Sequence, residues 1–433
     1  MEETIFIQIA AYRDPELIPT LRDLFSKAQF PDQLKVCIAW QHAKDDTLEE
    51  FETDPRVHVI KIDYRESKGA CWARNLIQQE YNKETYTLQL DSHHRFIQNW
   101  DTELIGMYKD LQNQGVKKPL LTSYIPSYDP DNDPAGRVRV PWRMDFDRFI
   151  PEGAIFFLPA TIENHESLKS PVPSRFYSAH FCFTSGSFCL EVPHDPQYYF
   201  HGEEISVAVR AFTHGYDLYH PHKIIAWHEY TRKNRTKHWD DHVSQKRDEL
   251  ADKKDWWERN TECHKRNRCL FSMDGEKYES IEWGRYGFGT IRTLRDYEKY
   301  AGIHFGKRAI QAATIKREYP SSQLQEKYKN DTEWEASFLS IFKHCIDLQT
   351  EQFTEDDYDF WCVAFEREDG TSLYRKDVSE LESKQLINDA KNSKQDRYIK
   401  LWREFTTEEK PHHWIVWPHS KAKGWGNKIE GKL

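Results

Sequence analysis

The chain has 433 residues, of which 38% are hydrophobic and 30% charged, and carries a net charge of −10. Its 15 Trp, 22 Tyr and 24 Phe exclude a disordered chain, which is poor in aromatics. The acidic balance excludes a general nucleic-acid binder, which carries a basic footprint. The length exceeds that of one ordinary domain.

The first 125 residues alternate between two periodicities. Residues 4–10 read as a strand, and 15–28 as a helix with Asp14 as N-cap and Pro15 at its first position. Strands follow at 34–40 and 57–62, then a helix over 68–81. A strand over 85–90 delivers Asp91, and an amphipathic helix covers 99–112. This alternation predicts an α/β fold with a mostly parallel sheet wound in βαβ units. From 125 to 175 the pattern loosens into a Pro-, Asp- and Gly-rich stretch, read as an acceptor-binding surface. Regularity returns at 178–190, with a helix at 203–214 and a strand pattern at 217–227. Residues 238–330 read as a charged, helix-rich extension of a domain spanning 1–330. Beyond it, 331–433 reads as a small β-rich module, with a hairpin of 358–366 and 371–375 and further strands at 398–402 and 413–417.

No apolar stretch approaches the ~20 residues that cross a bilayer, and Met1-Glu2-Glu3 runs straight into the first strand without a leader pattern. The eight cysteines lie scattered, without a C-x-x-C pair. That usage predicts reduced thiols and a cytoplasmic location.

Chemistry concentrates at predicted strand ends, where ligands of an open α/β sheet bind. Leu90-Asp91-Ser92-His93-His94-Arg95-Phe96 offers a hard oxygen and an imidazole nitrogen to a divalent cation. Ala10-Ala11-Tyr12-Arg13-Asp14 closes the first strand. A loop from Tyr64 and Arg65 through Gly69 enters a helix carrying Arg74, and helix N-termini favour anions. Phe200-His201-Gly202-Glu203-Glu204 opens another helix with two acids. Trp227-His228-Glu229-Tyr230 places a further histidine at a strand end, ahead of the basic segment from Arg232 to His238.

This set resembles GT-A glycosyltransferases, in which an Asp-x-Asp or Asp-x-His motif holds a metal on a UDP diphosphate. It is most similar to the cytoplasmic GlcNAc-transferases that modify hydroxyproline on a ubiquitin-ligase adaptor, and more distantly to mucin-type polypeptide GalNAc-transferases. The resemblance spans roughly residues 4–310. It implies a GT-A, Rossmann-like sheet with flanking helices, and a metal (Mn²⁺ or Mg²⁺) on Asp91, His93 and His228, with Ser92 beside them. It further implies that Ala11, Tyr12 and Arg13 contact the uridine, with Arg65, Gly69 and Arg74 near the base or diphosphate. Arg232 would cover the diphosphate, and Glu203 or Glu204 would face the sugar or acceptor.

The expected reaction moves a hexosamine, GlcNAc first, from a UDP-sugar to a protein or glycan hydroxyl, with retention. Three rivals stand beside it. An inverting polysaccharide glycosyltransferase would use Glu203 or Glu204 as base. A metal-dependent phosphoesterase would need a larger ligand set for two metals. A non-catalytic glycan-binding protein would explain the aromatic excess but not the Asp-x-His. The loop 230–238 is expected to be mobile without ligand. The C-terminal module, with Trp361, Trp402, Trp414, Trp417 and Trp425, is expected to leave at least one Trp exposed and to help hold the acceptor.

Overall fold

A computed structural model describes residues 3–232, 235–321, 328–392 and 398–433. Its contacts divide the chain into two compact units, Met1–Arg308 with Ala313–Lys329, and Ala309–Ala312 with Asn330–Leu433.

The first unit is built on an eight-stranded sheet. Its strands are β1 (Ile5–Tyr12), β2 (Leu34–His42), β3 (Val57–Asp63), β4 (Tyr86–Leu90), β6 (Pro119–Thr122), β9 (Val172–Pro173), β10 (Phe181–Ser185) and β11 (Asp217–His220), in the order β3-β2-β1-β4-β10-β6-β11-β9. Neighbours β3, β2, β1 and β4 run parallel, as do β6 and β11, whereas β10 and β9 run against their partners. This is the mostly parallel α/β class expected from the alternation.

Strand alternation explains the layers. Ile5, Ile7, Ile9 and Ala11 of β1 face one core, shared with Leu17, Leu21 and Leu24 of helix α1 (Leu17–Lys27) and with Leu104, Met107 and Leu111 of α3 (Trp100–Asn113). Phe6 faces the opposite side, against Ala73 and Ile77 of α2 (Ala70–Gln79). Helices therefore cover both faces, and the near-continuous apolar strands follow from that double burial. The chain leaves β1 toward β2 and β3, then returns to the other side of β1 as β4. That reversal opens a crevice at the carboxyl ends of β1 and β4, the usual ligand position in such sheets.

A small ribbon beside the crevice decides the rest. Strands β5 (His94–Phe96) and β12 (Ala226–His228) pair antiparallel, with His228 opposite His94. A helix, α5 (Glu203–Thr213), carries its two acids in its first turn.

Three local expectations need correction. Helix α1 starts at Leu17 with Glu16, not Asp14, at its N-cap; Asp14 instead accepts the Glu16 N–H with one oxygen and turns the other toward the crevice. The loose stretch contains a hairpin, β7 (Trp142–Phe149) with β8 (Ile155–Thr161). The strand pattern at 217–227 is split into β11 and β12, because Pro221 has no N–H for a ladder.

The second unit is β-rich. Strands Ser340–Gln349 and Tyr398–Thr407 pair antiparallel, and a second sheet joins Tyr358–Glu366 to Ser372–Arg375, Val378–Ser379 and His413–Ser420, with Gly424–Trp425 and Ile429–Lys432 beyond. Its own core gathers Ile346, Leu348, Trp361, Val363, Phe365, Leu401 and Val416. The strand Ser340–Gln349 and the helix Glu380–Asn392 had no clear sequence signal: the first buries little along its length and the second is mostly polar.

Candidate active site

The crevice gathers groups from three strand ends. Asp91 and His93 follow β4, His228 ends β12, and Asp14 follows β1. Asp91 Oδ2 lies 3.4 Å from His228 Nε2 and 3.7 Å from His93 Nε2. One ligand atom from each of the three lies within 4.8 Å of the others. Behind His93, Asp14 Oδ2 sits 2.8 Å from Nδ1, with Nε2 on the side of Asp91. Carboxylate-to-histidine support of this kind fixes a metal-ligating ring. Ser92 Oγ donates to the same Asp14 oxygen at 2.7 Å.

Electrostatics keep Asp91 and Asp14 ionised and His228 neutral. Burial would raise the Asp91 carboxyl, but the His228 hydrogen bond and the Arg74 charge override it and hold the group well below the usual carboxylate range. Burial, reinforced by neighbouring histidines, pushes His228 well below its usual value, so it stays neutral with a lone pair available. Asp14 is likewise held ionised: burial opposes this, and the bond from His93 outweighs it.

Arg74 lies beneath the site, only 5% exposed, with Nη2 2.9 Å from Asp91 Oδ1 and Nη1 3.8 Å from Glu203. Glu203 and Glu204 behave differently from Asp91. Burial first, then for Glu203 the neighbouring Glu204, raises both above the ordinary glutamate value. Glu204 is also committed: it accepts the Ala179 N–H at 2.9 Å and the Tyr124 hydroxyl at 2.9 Å.

Two adjoining cavities open here, about 190 and 100 Å³. The larger is lined by Asp91, His93, His228 and Arg74 together with Arg232 and Arg235. The smaller is bounded by Gln41, Gly69 and Tyr199, and both share Tyr12, Phe200, His238 and Trp239. At Gly69 the backbone has φ +105°, and a Cβ would stand 2.8 Å from the Tyr199 ring. Any side chain there would push into the smaller cavity's wall. A separate cavity of about 860 Å³, lined by Lys68, Trp72 and Arg259 among others, includes none of the three ligand residues.

Not every expected residue reaches the crevice. Ala11 is fully buried and offers only its carbonyl, which accepts from Gln41 Nε2. Arg13 turns away to Asp241 at 2.8 Å and over the Tyr64 ring. Arg65 makes a forked pair with Asp63 and lines neither cavity. Arg232 does border the cavity, over the Phe200 and Trp239 rings. Lys233 and Asn234 of the basic segment lie outside the described residues.

Sequence reasoning missed His180 as a neighbour of the site and gave Asp14 and Arg235 no place beside His93. Arg235 Nη1 lies 3.0 Å from Asp14 and 2.9 Å from His93 Nε2. His180 stacks on His228, centroids 4.3 Å apart. Asp14 could have been found, since it follows a strand end; a lone histidine before β10 gives no such signal.

A family model described as Glycosyltransferase (GlcNAc) matches residues 4–54 and 47–307. The chain belongs to this glycosyltransferase family. Residues 4–307 contain all three candidate ligand residues, so the family's extent and the crevice coincide. Among solved structures, the glycosyltransferase is similar to GalNAc-T7 with UDP, GalNAc and Mn²⁺, at 16% identity and TM-score 0.41 over 55% of this chain and 44% of that one. It is also similar to S. aureus TarS 1–349 in complex with UDP-GlcNAc, at 14% identity and TM-score 0.34 over 54% and 60%. A third is the mannosyltransferase PcManGT from Pyrobaculum calidifontis with GDP-Man and Mn²⁺, at 11% identity and TM-score 0.35 over 53% and 58%. The chain thus spans less than two thirds of each. No curated protein sequence matches it. Among the described residues no helix is long and apolar enough to cross a membrane.

Proposed function

We propose that this glycosyltransferase moves a hexosamine, GlcNAc in the first instance, from a UDP-sugar to a protein or glycan hydroxyl, with retention of configuration. The observation that carries the reading is the meeting of Asp91, His93 and His228 at the sheet's crevice, with Asp14 behind one ligand and Arg74 beneath another. The family description supports GlcNAc.

The donor set of one carboxylate and two imidazoles fits a divalent cation, Mn²⁺ or Mg²⁺. Such an ion supplies Lewis-acid neutralisation of a diphosphate leaving group. The chain's own cations complete that task. Arg232 and Arg235 border the cavity and are placed to meet phosphate oxygens, for which a guanidinium fork is suited. The smaller cavity, with Gly69 at the start of α2 and the rings of Tyr12, Tyr199 and Trp239, suits the nucleoside. Tyr12 serves there as a wall. Ala11 and Arg13 would act through the backbone or by bracing Asp241, and Arg65 has no direct part.

Glu203 and Glu204 are read as orienting groups. A carboxyl that keeps its proton near neutrality, as burial makes both do, donates a hydrogen bond to a sugar hydroxyl better than it deprotonates an acceptor. Glu204 also has both oxygens engaged. On this reading neither glutamate acts as the strong base that inversion would need, in keeping with retention. The eight unpaired cysteines favour a reducing, cytosolic setting, and the second unit is assigned the acceptor rather than the donor.

A panel of UDP- and GDP-sugars with Mn²⁺, scored for hydrolysis without acceptor, tests this reading. UDP-GlcNAc should be cleaved fastest, and NMR should show the α-anomer released first. Preference for a GDP-sugar would overturn the donor assignment. Release of the β-anomer would make Glu203 or Glu204 a base.

A further inference from the structure

The second unit carries an aromatic cluster that its core does not use. Along strand Tyr358–Glu366, Trp361, Val363 and Phe365 belong to the core, so Phe360 and Cys362 point to the opposite face. The register sets Phe360 across from His419, His419 across from Trp425, and Cys362 across from Trp417. The rings therefore form one contiguous row. Phe360 and His419 stack at 5.2 Å, Trp417 and Trp425 lie 4.4 Å apart, and His419 and Trp425 5.0 Å. Trp425 is nonetheless 47% exposed.

The platform is held rigidly. Trp417 Nε1 donates to the Gly426 carbonyl at 2.8 Å. His419 Nδ1 bonds Asp359 Oδ1 at 2.8 Å, and the same oxygen accepts the Phe360 N–H at 2.9 Å. Three polar atoms at the rim have no protein partner among the described residues: Asp359 Oδ2, His419 Nε2 and Trp425 Nε1. The nearby cations are already paired, Lys421 with Glu380 and Lys423 with Glu355.

These features define the ligand. Flat apolar rings with a rim of unpaired donors and acceptors complement a pyranose, whose C–H face packs on a ring while its hydroxyls reach outward. Paired neighbouring charges favour a neutral ligand over a phosphate. Four rings are also too small a patch for a stable protein interface, which covers about 800 Å² per partner. We propose that this face binds a neutral glycan, with one or two pyranose rings seated on Trp425 and Trp417. The site is separate from donor cleavage and needs neither nucleotide nor metal. It stands whether or not the reading of Asp91, His93 and His228 holds.

The test uses the full chain in EDTA without nucleotide. Saturation-transfer NMR is run against cellotriose, maltotriose, chitotriose and galactosyl, mannosyl and fucosyl oligosaccharides. At least one should receive saturation at its ring C–H protons. Trp425→Ala should weaken that binding at least tenfold with an unchanged melting temperature. Trp425→Phe should keep part of it, and Asp359→Asn should weaken it without removing the rings, which keeps the test decisive if the alanine variant misfolds. The proposal is overturned if no oligosaccharide binds, if Trp425→Phe and Asp359→Asn both bind like the parent, or if binding is displaced by UDP with Mn²⁺.

Discussion

The crevice at the ends of β1 and β4 and the strand Tyr398–Thr407 follow opposite rules. In that strand, residues alternate between solvent and core, with Ile399, Leu401 and Phe405 inside and Lys400 and Glu404 outside. Arg403 is its one buried charge; it donates to main-chain carbonyls, with Nε left without a partner. In the crevice, Arg74, His93, Glu203 and His228 are all buried, and Arg74 Nε and Nη1 have no hydrogen-bond partner. Buried polar groups left without partners cost stability. The crevice concentrates buried titratable groups, whereas the C-terminal unit leaves aromatics in the unexpected place.

That contrast can be broken at several points. The largest effect is expected at Asp91. Asp91→Asn should lower UDP-sugar turnover by ~10²–10³-fold, the loss typical of one group removed from charge stabilisation, while thermal unfolding moves only a few degrees. Near-parental activity would mean that the buried charges are structural. Asp14→Asn comes next. Loss of its bond to His93 Nδ1 should weaken Mn²⁺ binding by about 10–100-fold, as loss of outer support does elsewhere, read by Mn²⁺ electron paramagnetic resonance. Equal affinity would assign Asp14 to the α1 turn alone.

Glu203 offers a smaller, pH-dependent effect. Burial raises its folded-state pKa, so folded protein keeps a proton that the unfolded chain has released. Stability from this group is complete below the unfolded glutamate value and declines as pH rises toward the raised folded value. Glu203→Gln should therefore gain stability relative to the parent between about pH 5 and 8. Each pKa unit removed is worth about 1.4 kcal/mol, or roughly 1.5 °C in a chain of 433 residues. A pH-independent difference would refute the buried-proton account. The smallest effect belongs to Trp402, which is 59% exposed. Trp402→Ala should change unfolding free energy by no more than ~0.5 kcal/mol, measured by urea denaturation. A larger loss would mean this strand's outer face is covered.

Much of this was legible in the sequence because strand ends carry local signals. The apolar run before Asp91 and the alternation of strands and helices located β4, and hence the Asp-x-His, without tertiary knowledge. His228 was legible as a strand end, although its approach to His93 depends on the β5–β12 register, which no local pattern encodes. Asp14 was read as a helix cap because a cap and a histidine support ask for the same residue type; one oxygen serves the α1 turn and the other serves His93. Arg13 and Arg65 each make an ion pair that their sequence positions do not announce. Each found a nearer carboxylate, Asp241 and Asp63, and sequence spacing does not show such competition. The exposed Trp402 and Trp425 follow from limited room in a small module.

In the proposed function, Asp91, His93 and His228 together hold the cation that presents a UDP-sugar. Calorimetric titration of UDP into the full chain, with Mn²⁺ and then in EDTA, addresses it most directly, repeated for His228→Ala. UDP should bind tightly with Mn²⁺, weaken at least tenfold in EDTA, and weaken to a similar degree in His228→Ala with Mn²⁺ present. Equal UDP affinity with Mn²⁺ and in EDTA would contradict the claim.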